Sequence, residues 1–336
     1  MFMAVLDLKD RKLLVALSQN SRASQSQLGK AVGISKSAVP YRIKRLREEG
    51  IIRRFLTVVN LSAVGYTIYN VFFKLHASKE QEKKLFYYFD MHPFTTWVCK
   101  FLGMWDFHVE IVAKDFSHFN EILMQMVQEL GYALEDYRTH IALEIYKVEH
   151  LPKQFVQSAK IIPLEIRSRV WKENVTLDVI DRKLLYALGN DAVAPLHVLA
   201  QQCETTLDVV HYRMKKLYGD GVILQYIPFV ALEKIGYTEY FCHLQLRHLT
   251  AEKSLSLKQF ILQHGHIKYA FRGASQLEVL FLLAVQNITE LDVIIQELKQ
   301  HFFSHILDIQ THLITEQGKF HLFPEGLTTL SKKLNF

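Results

Sequence analysis

The chain repeats itself. The stretch "LDLKDRKLLVAL" at 6–17 returns as "LDVIDRKLLYAL" at 177–188. The same shift of 171 positions carries Leu28 onto Leu199, "YRIKRL" onto "YRMKKL", Gly50 onto Gly221 and "VGY" at 64–66 onto "IGY" at 235–237. Over residues 6–66 there are 22 identities in 61 ungapped pairs. This constrains the fold more than any single motif does: whatever one copy folds into, the other is expected to fold into as well.

Each copy divides in two. The first sixty residues read as helices broken at turn signals: Asp7 to Gln19, Ser24 to Val32, a turn at Gly33, then Lys36 to Glu49 with Ser35 placed to cap it. Gly50 stops the third helix, and "IIRRFLTVVN" is β-prone sequence suited to a two-stranded wing. Three helices with a tight turn before the third, then a wing, is the winged helix-turn-helix pattern. Pro40 falls inside the third helix, where it is expected to bend the first turn. The remainder of the copy alternates strand, helix, two strands, helix, strand, with the last strand at 134–148. The expected class is therefore α+β, a winged helix-turn-helix plus a ferredoxin-like βαββαβ domain, the pair repeated twice. The expected boundaries are 1–62 and 63–150, a linker at 151–174, then 175–233 and 234–324.

With 336 residues and 49% hydrophobic content, the chain can bury a full core. Its longest apolar runs, such as "EVLFLLAVQ", are too short to span a bilayer, and the N-terminus lacks a secretory pattern, so a cytoplasmic protein without a membrane partner is expected. Cys99, Cys203 and Cys242 are far apart and odd in number, which fits reduced, buried thiols. The net charge of +6 is uneven. Residues 1–60 hold 12 Lys and Arg against 4 Asp and Glu, or +8, and the remaining 276 hold 28 against 30, or −2. A positive field concentrated in one sixth of the chain suits a surface that meets phosphates.

On the third helix, Val39, Ile43 and Leu46 form the core stripe. A helical step of about 100° per residue then turns Ser37, Tyr41, Lys44 and Arg45 outward, with Lys36 and Arg42 on the flanks. These are the candidates for contact with double-stranded DNA, and Arg22, Lys30, Arg53 and Arg54 are candidates for its backbone. The second copy differs where it matters. Residues 172–231 hold 6 basic and 7 acidic residues, or −1, and Lys36, Ser37, Arg47, Arg53 and Arg54 become Leu207, Asp208, Tyr218, Leu224 and Gln225. An aspartate facing phosphates would be repelled, so the second helix-turn-helix reads as a retained scaffold.

The first-copy residues quoted above, with "FLGMWDFHVEIVA", resemble the Lrp/AsnC (feast/famine) regulators over nearly the whole chain in two tandem copies. The resemblance implies transcription regulation, a ferredoxin-like domain that pairs to make a homodimer or higher homo-oligomer, and an amino-acid effector held near the turn of Gly103, Trp105 and Asp106. In copy two that turn becomes Gly273 and Gln276, which suggests that only the first would hold an effector. A related two-copy group, the sirohaem decarboxylases, is the alternative. Tyr269 and Arg272 are suggestive of it, but no acid–base pair accompanies them. No catalytic residue and no cofactor is expected. His264 with His266 and His301 with His305 have spacings that can hold a metal, yet no nearby residue in the sequence completes a set, so no metal is expected.

Overall fold

The computed structural model describes residues 6–156, 174–273 and 278–329. Helices α1 (Leu8–Gln19), α2 (Gln25–Val32) and α3 (Ala38–Glu48) lead into a single strand, β1 (Ile52–Val59). Then come β2 (Thr67–Leu75), α4 (Lys79–Met91), β3 (Thr95–Leu102), β4 (Phe107–Ala113), α5 (Phe116–Leu130), β5 (Leu134–Ile141) and β6 (Glu144–Val148). The second copy runs α6 (Val179–Asn190), α7 (Leu196–Gln202), α8 (Leu207–Gly219) and β7 (Ile223–Val230). It continues with β8 (Thr238–Leu246), α9 (Ala251–Gln263), β9 (Ile267–Arg272), β10 (Glu278–Val285), α10 (Ile288–Phe302) and β11 (Ile306–Phe320). The winged helix-turn-helix and the βαββαβ order therefore occur twice.

The helix ends follow from local chemistry. Asp7 accepts the Asp10 N–H at 2.7 Å while Asp10 accepts the Asp7 N–H at 3.2 Å, and Asp178 and Asp181 repeat the arrangement at α6. Ser35 accepts the Ala38 N–H at 3.2 Å ahead of α3. Gly33 ends α2 at φ +74°, a conformation other residues adopt reluctantly. Pro40 lies within α3, which runs unbroken from Ala38 to Glu48. It is the third helical residue, whose N–H has no intrahelical acceptor to lose.

The wing also differs from expectation. Each copy supplies one strand, and β1 pairs antiparallel with β7, Phe55 opposite Pro228 and Leu56 opposite Ile227. Leu56, Val58 and Ile227 bury one another, so neither strand needs a hairpin partner of its own. Tyr226 C=O accepts the Ser21 N–H at 2.8 Å, and at the equivalent place Phe55 C=O accepts the Ala192 N–H at 3.1 Å. The two helix-turn-helix units are thus built into each other.

The other strands form one nine-stranded sheet in the order β5-β2-β4-β3-β11-β8-β10-β9-β6. Its two ends, β5 and β6, are halves of one crossing strand interrupted at Ala142 and Leu143, so the sheet comes round on itself. Its counterpart β11 pairs with β8 of its own copy and then with β3 of the other. Strand β4 is buried along its whole length because both of its faces are covered, one by helices and one by the sheet's interior. Phe107, Val109 and Ile111 pack under the helices, whereas Phe72, Trp97, Phe101 and Trp105 meet Phe241, Phe271, Leu280 and Leu282 inside. Phe72 and Phe241, one from each copy, contact edge to face at 5.4 Å. The ferredoxin-like domains pair within the chain.

The expected linker begins as packed structure: Leu151 and Phe155 are buried, and Arg11 lies over the Phe155 ring. Residues 157–173 lie outside the described residues. No helix among the described residues is long and apolar enough to cross a membrane.

Burial drives the pKa values of His92, His243, His312 and His321 down to about 4, and those of His108 and His150 to about 3. These imidazoles are neutral when folded but regain a normal pKa near 6.5 when the chain unfolds, so the unfolded state binds more protons below that pH. Stability is then fully present above about pH 6.5 and declines as pH falls toward 4. Glu110, pushed up to about 7 by burial, opposes this over part of the range. Denaturant unfolding at pH 7.5, 6 and 5 should show a progressively lower midpoint with net proton uptake; a midpoint independent of pH would contradict the buried neutral imidazoles.

Candidate nucleic-acid interface

Helix α3 rests on its core stripe, with Val39 and Leu46 fully buried. The opposite face stands clear: Lys36, Ser37, Tyr41, Lys44 and Arg47 are exposed, and Lys30 is exposed on α2 beside it. Gln25, Pro40, Ile43, Lys44, Arg47 and Glu48 line an open groove of about 400 Å³ between α2 and α3. Of these residues, Arg47 was marked in the sequence only by its change to Tyr218, and Gln25 by nothing. Arg47 follows Lys44 by three, the spacing of neighbours on a helix face.

The other candidates are engaged elsewhere. Arg42 donates to Asp7 at 2.8 Å and to Asp10 at 2.6 Å, and Arg45 donates to Asp10 as well. These bonds raise the Arg42 pKa. Partial burial pushes the Asp7 carboxyl up, but its bonds to Arg42 and to the Asp10 backbone win and leave it below the ordinary value. Asp10 is 1% exposed, a buried charge that only paired cations make tolerable. Copy two repeats the device, with Arg213 on Asp178 at 2.6 Å and on Asp181 at 3.2 Å. The arrangement therefore clamps the third helix of each unit to the first.

Arg22, Arg53 and Arg54 face the second copy. Arg22 donates to the carbonyls of Ala192 at 2.8 Å and Ala194 at 3.1 Å and lies over the Tyr226 ring; burial lowers its pKa. Arg54 donates to the Phe320 carbonyl at 3.2 Å, and burial lowers its pKa too. Arg53 pairs with Glu233 at 2.6 Å, and both Arg53 and Arg54 lie over the Phe229 ring.

At the effector turn, Asp106 Oδ2 accepts the Leu75 N–H at 2.7 Å, so the carboxylate is spent on the neighbouring strand. Trp105 is buried against Phe72 and lies under Arg138. Gly103 lies against the second copy: a Cβ there would come within 2.7 Å of His312 Nδ1. The ladder also corrects the alignment of the two turns. Asp106 C=O accepts from Phe101 N–H, and its equivalent, Glu278 C=O, accepts from Gly273 N–H at 3.0 Å. Copy two therefore keeps a carboxylate at this position, in Glu278, while Gln276 lies outside the described residues. The expected histidine pairs do meet carboxylates that spacing did not suggest: His264 faces Glu297 at 3.4 Å and His266 faces Glu290 at 3.9 Å. His301 packs on Phe260, and His305 Nδ1 lies 3.1 Å from the His248 carbonyl.

The winged helix-turn-helix DNA-binding family model matches residues 6–53. The chain is 33% identical over 146 residues to the HTH-type transcriptional regulator FL11 of Pyrococcus furiosus, an alignment covering 43% of this chain and 93% of that one. The chain belongs to the Lrp/AsnC family of transcriptional regulators. A solved AsnC family transcriptional regulator from Agrobacterium tumefaciens matches at 23% identity and TM-score 0.40, over 45% of this chain and 99% of that one. The sirohaem decarboxylase NirDL has the same fold over 95% of this chain and 96% of its own, at 11% identity and TM-score 0.61. In this Lrp/AsnC member the unit matched by the family model carries the exposed basic face.

Arg42→Ala should lower stability by about 1–3 kcal/mol, because buried Asp10 loses one of its two cationic partners. Arg213→Ala should do likewise, leaving Asp181 without the cation that both its oxygens accept from. Thermal unfolding of both variants checks this; unchanged midpoints would mean that the clamp adds nothing.

Proposed function

We propose that the chain is a duplex-DNA-binding transcriptional regulator with one reading head, the exposed face of α3. The observation that carries this is the array of Lys30, Lys36, Ser37, Tyr41, Lys44 and Arg47 exposed to solvent on the unit with the positive excess, with Lys44 3.7 Å from Glu48 on the same surface. At the corresponding places α8 exposes Leu207, Asp208, Tyr212, Lys215 and Tyr218, with Gln201 on α7. Phosphate attraction supplies most of the non-specific affinity on which base readout builds, and the second face largely lacks it. A palindromic operator would then need two chains, in keeping with a homodimer or higher assembly. We read the repeat as two tandem copies of one family module, folded together as the family's dimer is from separate chains. Any amino-acid effector would bind where the Gly103–Asp106 turn meets the second copy.

The likeness to NirDL supports a shared shape; at 11% identity it carries no chemistry, and the basic face favours a non-enzymatic role. Because β1 pairs with β7, the two heads must be compared within the full chain. Lys36→Ala combined with Lys44→Ala should weaken binding to duplex DNA. It should also flatten the plot of log K against log salt by about 0.9 for each phosphate that is no longer neutralised. Lys215→Ala, the copy-two counterpart of Lys44→Ala, should change neither. Unaltered affinity and slope in the double variant, or an equal loss in Lys215→Ala, would reject the single-head reading.

A further inference from the structure

We propose that His140, His243 and Glu278 form a binding site for one divalent transition-metal ion of the zinc class, built across the two copies. The three come from three strands: His140 from β5 of the first copy, His243 and Glu278 from β8 and β10 of the second. One ligand atom from each lies within 4.8 Å of the others. His140 Nδ1 is 3.0 Å from Glu278 Oε2, and His243 Nε2 is 3.8 Å from Glu278 Oε1. Donors around a tetrahedral zinc ion sit about 3.3 Å apart, so small side-chain movements would close the set.

A plain hydrogen-bonded pair explains His140 and Glu278 but leaves His243 unexplained. His243 is 5% exposed, and its Nε2 is buried without a hydrogen-bond partner. A nitrogen in that position costs free energy unless something binds it, and it points to a carboxylate too distant to bond directly. Two imidazoles and a carboxylate are the ligand types such an ion takes. Gln310 pairs with His243 across the ladder on β11, and its buried Oε1 has no partner either, which offers a further oxygen on the same face.

The pseudo-symmetric location shows what is special about this one. By strand register, Glu278 corresponds to Asp106, His140 to His312 and His243 to Phe72. There the carboxylate is already bound by Leu75 N–H, and a phenyl ring stands where the second imidazole would be. Of two equivalent places, one has the donor set and the other does not. Two imidazoles and one carboxylate with an open position suit zinc, cobalt or iron(II) better than calcium or magnesium, which prefer all-oxygen shells. An ion here would tie β5 of one copy to β8 and β10 of the other.

The test is titration of the chelator-stripped full-length protein with Zn2+ by calorimetry and with Co2+ by visible absorption. One Zn2+ per chain should bind, with a Co2+ spectrum of imidazole–carboxylate coordination. Glu278→Gln and His243→Ala should each weaken binding at least about tenfold, while a His301→Ala, His305→Ala control keeps it. Glu278→Gln preserves shape, so it decides the matter even if His243→Ala fails to fold. Absence of saturable binding in the wild-type chain, or affinity unchanged in Glu278→Gln, overturns the proposal.

Discussion

The structure depends on an exchange of backbone hydrogen bonds. In each copy the last strand starts beside its own neighbour and finishes beside the other copy's: β5 lies on β2 and β6 on β9, while β11 runs from β8 to β3. Without this crossing, each four-stranded sheet would be covered by helices on one face only. Its other face, with Phe72, Trp97 and Phe101 or with Phe241, Phe271 and Leu280, would meet water. With it, strands such as β4 and β10 are buried on both sides, and the interior between the copies becomes the place where polar side chains from both halves converge. The helix-turn-helix units repeat the principle through β1 and β7.

This arrangement changes what the charge distribution means. The excess in the first sixty residues falls on the unit matched by the winged helix-turn-helix DNA-binding family model, but at least seven of its twelve basic residues serve the architecture, Lys9 through the Val32 and Gly33 carbonyls and Arg11 over the Phe155 ring among them. Arg42 and Arg45 hold Asp10, while Arg22, Arg53 and Arg54 reach the second copy. Arginine suits this because its planar fork satisfies carbonyls, carboxylates and ring faces at once. The basic residues left exposed on and beside α2 and α3 are Lys30, Lys36, Lys44 and Arg47.

The periodicity and turn chemistry of the sequence were sufficient for the order of the elements, down to helix ends such as Gln19 of α1 and Val32 of α2. Those signals are local, and helix caps and alternating burial act over a few residues. What escaped was whatever joined distant segments. "IIRRFLTVVN" looked like a hairpin because nothing in it announces that its partner lies near residue 226. Arg45 looked outward by helical angle, although a guanidinium on a long stem can fold back to a carboxylate 35 positions earlier. The alignment placed Gln276 opposite Asp106 since only the hydrogen-bond register reveals that Glu278 belongs there. His140, His243 and Glu278 share no spacing at all, because three strands from two copies bring them together.

Joining both partners of a pairing in one polypeptide also removes it from mass action. Two separate subunits come apart on dilution and can recombine with relatives that carry a similar interface. Here the opposing sheets are always present at the same ratio, whatever the protein's abundance, and a foreign monomer would have to displace a covalently attached neighbour. The interface is also released from self-complementarity, because a substitution on one side no longer appears on the other. Phe72 and His243 can differ, as can Lys36 and Leu207, without the structure having to accommodate each change twice.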